Sequence, residues 1–488
     1  MFRPSDPQRS LFDAGGLLPR EKRERCAQSW AGPFREKALP ILRKMETEFA
    51  ELFHPEHGRP NRPTELVLGV LILKEMGDLT EQETIDALEF DTRWWWALER
   101  EPRDLHLCPN TLHNFRAGLL AHEKSNVAFR RVTDALIQAL GIKVDRQRLD
   151  STHVLSNFAR LSRLRLLCDT IRLFLRAVKE IDGQAYAALP AGILRRHGEE
   201  SAYADARREQ GPRRLKVVAR DVWRLVNRFN EVEAMTARTE WKHLQRLYTE
   251  QCTVKAETSP GADEDDAGDG PTPVELKPAA EVKSDSLQTP HDEDVTYSGH
   301  KGKGYSVQIQ ETCGEANPTQ MILEVEVTRA CDGDSGATVP MVDAVAKAGH
   351  APTELAADTG YSGAENAAEV SARGVNLTAP VCGKWKPEKD KAYPAPEARC
   401  PLKKEEALEW QKRRQASPDF KKRYAIRAGC EATNSELARA HGLKRLRVRR
   451  EARVKLAVYF KALACNVKRA LRCWLAQARA ADVAPTLA

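Results

Sequence analysis

The stretch YAIRAGCEATNSELAR, from Tyr424 to Arg439, sets the reading of the whole chain. Within it Tyr424, Arg427 and Glu431 recur at i, i+3 and i+7, so on an α-helix they share one face. A phenol, a guanidinium and a carboxylate on one stripe can hold a metal and a phosphate. The same spacing equally serves a solvated amphipathic helix in a charged protein. What separates the two readings lies upstream: two further carboxylates, Asp150 and Asp358, each at the end of a strand-like run.

Ile142, Val144 and Leu149 lead into Asp150-Ser151-Thr152, and the short run Glu354–Ala357 ends at Asp358. Between them Tyr305–Gln310 and Ile322–Val327 alternate apolar and polar residues as half-buried strands do. Helices are expected at Ala337–Ala348 and Gly363–Ala372, and a further strand at Val375–Val381. The order is therefore strand, large helical insertion, two strands, helix, strand, helix, strand, and finally the helix holding Glu431. Each Asp taken alone also suits an N-cap or a turn. Three carboxylates gathered where strand ends converge would repel one another unless cations intervened. Hard oxygen donors beside a substrate phosphate suit Mg²⁺ rather than zinc. Two such ions, about 3.5–4 Å apart, clamp the attacking and leaving oxygens of an in-line phosphoryl displacement.

The 488 residues allow several domains and a sizeable core. Lys and Arg number 77 against 70 Asp and Glu, a net +7 that conceals asymmetry. Acid is concentrated in Asp263–Asp294, while Arg and Lys crowd Arg146–Arg176, Arg207–Arg228 and Lys421–Arg453. Basic faces of that kind favour a polyanion partner. No window has the apolar length of a membrane span, and no secretory pattern opens the chain. The 11 cysteines are scattered and lack a C-x-x-C pair, which points to reduced thiols; Cys382 and Cys400 alone are too few for a zinc loop.

Residues 1–45 read as an arm with a helix or two. Leu66, Val70 and Leu73 then recur at helical spacing up to Gly77, and Thr80 with Glu83 forms a capping box for the next helix. Pro109 starts another helix that exposes His113, Asn114 and Arg116. Short helices in this order resemble a helix-turn-helix whose last helix enters a major groove, or equally a plain bundle. Ser125 is expected to cap a helix carrying Phe129, Val132, Leu136 and Leu140, with Gly141 ending it. Leu164, Leu167, Ile171, Leu175 and Val178, then Val218, Val222, Leu225, Phe229 and Val232, mark two amphipathic helices with Arg-rich outer faces. Cys252–Thr289 reads as a disordered acidic linker, and Cys382–Lys421 as a charged excursion. Leu456, Phe460, Leu463, Val467, Leu471 and Trp474 mark a closing core helix.

The order strand-Asp, strand-Asp, helix-Glu resembles the ribonuclease-H-like core of the DDE transposases of bacterial insertion sequences. That family's helix signature is Tyr-x₂-Arg-x₃-Glu-x₆-Lys, and Tyr424, Arg427 and Glu431 match its first three members in register. Leu149–Thr152 is similar to the family's first-Asp segment and Ala356–Ser362 to its second. His300–Tyr305 and Gly442–Arg445 are similar to flanking segments, and Arg62–Leu119 to the family's helical N-terminal domain. One position departs: the signature Lys falls at Ala438, with Arg439 about 100° further round the helix. Glu436, the rival to Glu431, points about 140° away from it.

The resemblance implies an α/β core, a ribonuclease-H-like mixed sheet flanked by helices, with an all-α N-terminal domain and a large helical insertion. The expected division is an arm (1–45), a helical DNA-binding domain (46–141) and the first catalytic strand (142–160). A basic helical insertion (161–250) and an acidic linker (251–294) follow. The remainder divides into core strands with Asp358 (295–382), a charged loop insertion (383–419), core helices with Glu431 (420–478) and a tail (479–488). It further implies Asp150, Asp358 and Glu431 as catalytic residues holding two Mg²⁺ ions, replaceable by Mn²⁺. DNA contacts are expected from Tyr424, Arg427, Arg439, His113, Asn114 and Arg116. The implied partner is double-stranded DNA, both element ends and target, bound by at least a dimer in the bacterial cytoplasm at the nucleoid. Two rivals remain on the sequence: a transposase-derived DNA-binding protein without catalysis, and a structure-selective nuclease on the same core.

Overall fold

The computed structural model describes residues 1–5, 18–101, 105–158, 161–205, 211–254, 274–383, 385–388 and 391–483. Its described strands are β1 (Arg146–Val154), β2 (Cys252–Val254), β3 (Val274–Leu276), β4 (Thr296–Ser298), β5 (Gly302–Thr312), β6 (Ile322–Arg329), β7 (Glu354–Ala357) and β8 (Asn376–Thr378). Five of them lie side by side in the order β6, β5, β1, β7, β8. β5 runs antiparallel to both β1 and β6, whereas β1, β7 and β8 are mutually parallel. β4 pairs with the start of β5, and β2 with β3 forms a separate ribbon.

Side chains alternate across a strand, so the two faces of β1 do different work. Leu149 joins Leu355, Ala357, Met341, Val342, Tyr361 and Trp410 in one apolar layer. Helices Thr338–Lys347, Ala364–Ala372 and Lys404–Ala416 supply that layer. Arg148, Asp150, Thr152 and Val154 share the opposite face, toward helix Gly429–Ala440 and the 33-residue helix Glu451–Val483.

That last helix is the spine of the molecule. Leu456, Phe460, Leu463, Val467, Leu471 and Trp474, the expected stripe, are all buried. They share one cluster with helices Thr64–Met76 and Val127–Leu140 and with β5 and β6. Each large side chain so buried contributes roughly 1.5–3 kcal/mol. The N-terminal helices and the sheet thus share a core, and helix Thr64–Met76 is buried almost all round. The Thr80–Glu83 capping box forms as expected, and Gly141, at φ +62°, ends its helix in the left-handed region.

The insertion has a core of its own. Helices Arg163–Ile181, Gly211–Phe229 and Thr239–Gln251 enclose Leu167, Ile171, Leu175, Val222, Leu225 and Phe229. Phe174 meets Phe229 edge-on at 5.4 Å.

The structure corrects several expectations. Val232 lies past the end of its helix and is exposed. Asn126 rather than Ser125 stands at the N-cap of Val127–Leu140. In the arm, Phe34, Leu39 and Leu42 are core residues. The segment read as a charged loop (383–419) contains helix Lys404–Ala416, because Trp410 finds full burial there amid otherwise charged neighbours. The end of the acidic stretch is built into the fold. Asp292 is buried, accepting hydrogen bonds from Ser156 Oγ and from Tyr305 Oη at 2.8 Å, so its acid is satisfied rather than solvated. Residues 255–273 of that stretch and 484–488 of the tail lie outside the described residues.

Candidate active site

Asp150 is not at the end of a strand but in the middle of β1, opposite Ile309. The strand runs on because β5 keeps pairing with it as far as Val154. The parallel register that sets Leu149 against Ala357 puts Asp358 one step on from that pair, beside Asp150. Asp358 fills both roles the sequence offered. Its Oδ1 accepts a 2.7 Å hydrogen bond from the Gly360 N–H, opening the 3₁₀ turn Thr359–Tyr361, while Oδ2 faces the site.

The helix expected to carry Tyr424, Arg427 and Glu431 is broken. Helix Phe420–Ala425 tightens into a 3₁₀ turn, Ile426–Ala428, before helix Gly429–Ala440 begins. Arg148 explains the break. Its Nη1 donates to the Ile426 carbonyl at 2.9 Å, and a Cβ on Gly429 would stand 1.8 Å from that nitrogen. Only glycine leaves room for the guanidinium.

Despite the break, Arg427 reaches all three carboxylates. Its Nη2 donates to Asp150 Oδ1 at 3.1 Å and lies 3.6 Å from Asp358 Oδ2, and its Nη1 lies 3.9 Å from Glu431 Oε1. Its Nε is buried with no hydrogen-bond partner. Side-chain exposure rises from 12% at Asp150 through 35% at Asp358 to 75% at Glu431, so the cluster opens outward. Burial raises the Asp150 carboxyl above its ordinary range; Arg427 opposes the shift and Asp358 adds to it.

Sequence reasoning missed three neighbours. Asn434 Nδ2 donates to Asp150 Oδ2 at 3.1 Å. It continues the stripe of Arg427 and Glu431 at i+7 and i+3, a signal the sequence carried. Lys301 Nζ donates to Ser151 Oγ at 3.0 Å and Lys444 Nζ to Thr152 Oγ1 at 2.6 Å, placing an ammonium on each of the two residues after Asp150. Burial, and then Lys301, holds Lys444 below the usual lysine range.

The other nominated residues sit further out. Tyr424 stacks on Phe420 with ring centroids 5.6 Å apart, and burial raises its phenol. Arg439 is exposed near the end of its helix. His113 and Asn114 are exposed on helix Pro109–Ala121, whereas Arg116 is half-buried and paired with Glu81 at 2.8 Å. Glu436 turns away to Arg469 and Arg472.

Two family models match the chain. Residues 34–118 match a Transposase domain (DUF772), and residues 393–471 match a Transposase DDE domain. Together they support a DDE-type insertion-sequence transposase. The second match contains Tyr424, Arg427 and Glu431 and the first contains His113, Asn114 and Arg116; Asp150 and Asp358 lie outside both. No curated protein and no solved structure matches the chain. Among the described residues, no helix is long and apolar enough to cross a membrane.

Proposed function

We propose that this transposase binds the terminal inverted repeats of its own element, cleaves the DNA there and transfers the freed end into target DNA. The observation that carries the proposal is a charge imbalance. Three carboxylates surround one guanidinium, at 3.1, 3.6 and 3.9 Å, leaving two negative charges without a partner in that ring. The ring is open to solvent on the Glu431 side. The strand order β6, β5, β1, β7, β8, with β5 alone reversed, supports a ribonuclease-H-like core.

The donor set fits divalent metal. Arg427 Nη2 already places positive charge within reach of both Asp150 and Asp358, standing where a hard cation would be held by the same oxygens. Asp150, Asp358 and Glu431 would hold Mg²⁺, with Mn²⁺ as a substitute and two ions per site. When bound, the metal lowers the pKa of water or a DNA 3′-hydroxyl and neutralises charge on the phosphate. Arg427, released from the carboxylates, presents its unpartnered Nε and an Nη as a bidentate donor for a DNA phosphate. Asn434 keeps Asp150 oriented, and Lys301 and Lys444 add positive charge along the DNA path. His113, Asn114 and Arg439 are available for DNA contact, and Tyr424 for the backbone near the cut; Arg116 would first have to leave Glu81. Bringing two ends together calls for at least a dimer.

The test is cleavage of DNA carrying the element's own ends in Mg²⁺. Asp150→Asn, Asp358→Asn and Glu431→Gln should each lower cleavage about 10³-fold or more while leaving DNA binding intact. Full cleavage by all three variants sinks the proposal. A DNA-binding derivative without catalysis is the second reading, motivated by Ala438 at the signature Lys position. Nicking of its own ends by the purified wild type excludes it. Strand transfer from pre-cleaved ends separates a transposase from a nuclease.

A further inference from the structure

Among the described residues, the one set of three metal-type donors lying within 4.8 Å of one another is not the ring around Arg427 but Glu436, His441 and Cys465. Glu436 is in the last turns of the Glu431 helix, His441 is its C-cap residue, and Cys465 is on the closing helix. His441 and Cys465 are completely buried.

The imidazole is already set up as a ligand. His441 Nδ1 lies 2.9 Å from the Glu75 carbonyl oxygen, which can only accept, so Nδ1 carries the proton and Nε2 offers its lone pair. That Nε2 is buried and has no hydrogen-bond partner. A histidine that donates one ring N–H to a backbone carbonyl and leaves the other nitrogen unsatisfied has the usual arrangement of a metal-binding imidazole. Burial, the largest influence on both groups, holds His441 down to about 4 and the Cys465 thiol up to about 12. Without a cation both are neutral. Glu436 is held from outside by Arg469 at 2.9 Å and Arg472 at 3.1 Å, as ligating carboxylates are by their outer partners.

We propose that Glu436, His441 and Cys465 bind one zinc-class divalent ion, which locks the Glu431 helix to the closing helix and, through His441, to Glu75 of the N-terminal block. One sulfur, one imidazole nitrogen and one carboxylate oxygen suit zinc and exclude Mg²⁺. A tetrahedral ion needs its donors about 3–4 Å apart, so a small inward movement closes the set. The thiol proton leaves to solvent, one per ion, and the thiolate takes its place as ligand. The nearby Arg469, Arg472, Lys468 and Lys461 disfavour a hard ion held by charge alone, leaving the thiolate bond to decide the metal. The proposal is independent of the chemistry at Asp150, since its ligands are shared with none of that site's.

Cobalt(II) added to the full chain should produce a thiolate-to-metal charge-transfer band saturating at one equivalent. The band should vanish in Cys465→Ala and in His441→Gln and persist in Asp150→Asn. No band in the wild type, or a band surviving Cys465→Ala, overturns the proposal. Should those variants fail to fold, the zinc X-ray absorption spectrum of wild type carrying one equivalent decides. One sulfur among nitrogen and oxygen neighbours is expected; an all-oxygen shell, or more than one sulfur, overturns it.

Discussion

Two arginine–carboxylate clusters lie on the same face of the sheet, and neighbouring side chains of one strand and one helix feed both. The outer one gathers Asp150, Asp358, Arg427, Glu431 and Asn434; the inner one gathers Arg148, Glu311, Thr433, Glu436, Arg469 and Arg472. In the inner cluster Arg148 Nε reaches Glu311 Oε1 at 2.9 Å, and Thr433 Oγ1 and Arg469 Nη1 meet Glu311 Oε2 at 2.8 and 3.2 Å. Arg469 Nε meets Glu436 at 2.9 Å and Arg472 Nη1 meets it at 3.1 Å, so three guanidiniums face two carboxylates and no negative charge is left without a partner. In the outer cluster one guanidinium serves three carboxylates at longer distances. The same residue types thus make a closed structural joint in one place and an under-compensated, opening ring in the other. That contrast, more than the presence of acidic residues, distinguishes a place to hold structure from a place to receive Mg²⁺ and phosphate; a zinc-class ion at Glu436, bound through the Cys465 thiolate, would add to the joint.

The largest effect that tests the contrast is on stability. Glu311→Ala strands Arg148 and Arg469 in a buried site and should cost about 3–5 kcal/mol. Arg427→Ala, at the open ring, should change stability by no more than about 1 kcal/mol. Urea unfolding of the two variants measures both. Equal losses would erase the distinction between joint and ring.

A smaller effect probes how the joint shapes the ring. Gly429→Ala forces a Cβ against Arg148 Nη1, and overpacking of this kind costs about 1–3 kcal/mol. If Arg148 is what the methyl strikes, Arg148→Met should recover part of that loss in the double variant, a non-additivity that unfolding of the four proteins reads directly. Strict additivity would show that the 3₁₀ turn before Gly429 has another cause.

How far this arrangement was legible in the sequence follows from which signals are local. The order of elements, the capping box at Thr80 and the stripe from Leu456 to Trp474 rest on periodicity and spacing, which the chain carries in plain form; the expectation that Asp150, Asp358 and Glu431 come together rests on element order and the family resemblance, and the place of Arg427 among them, rather than on a phosphate, was not foreseen. The break at Ile426–Ala428 was not legible, because it depends on Arg148, far away in sequence, occupying the space above Gly429. Helix Lys404–Ala416 was hidden for a related reason. It has almost no amphipathic stripe and is held chiefly by Trp410, whose Nε1–H also finds the Glu397 carbonyl at 2.9 Å. Asp292 looked like linker acid because its partners Ser156 and Tyr305 come from β-sheet regions on either side of the insertion. Asn434 was visible in the helical register but carries no charge, and a search for acids and bases passes over it.

The smallest expected effect is the most discriminating, because the two clusters should respond to pH with opposite sign. Burial raises the Asp150 carboxyl above its ordinary range despite Arg427. Between its unfolded and folded pKa values the native state therefore binds more protons than the unfolded one, and stability falls as pH rises through that window. For Glu436 burial pushes the same way, but Arg469 and then Arg472 outweigh it and hold the carboxyl low. Its contribution is present above the unfolded pKa and is lost as pH falls through the folded one. At neutral pH, then, Asp150→Asn should be as stable as wild type or more so, since Asn still accepts from Arg427 and Asn434 can turn its amide to accept in exchange. That gain should shrink on acidification as the native aspartate takes up its proton. Glu436→Gln should be less stable than wild type at neutral pH and converge with it in acid. Each difference is expected to be smaller than the losses above, and its sign, set by the direction of the shift, is what the measurement reads. Thermal unfolding of the three proteins from pH 3 to pH 7 checks both slopes. A stability loss in Asp150→Asn that grows toward neutral pH would mean that Asp150 is paired as tightly as Glu436, and the outer ring would then be a second structural joint.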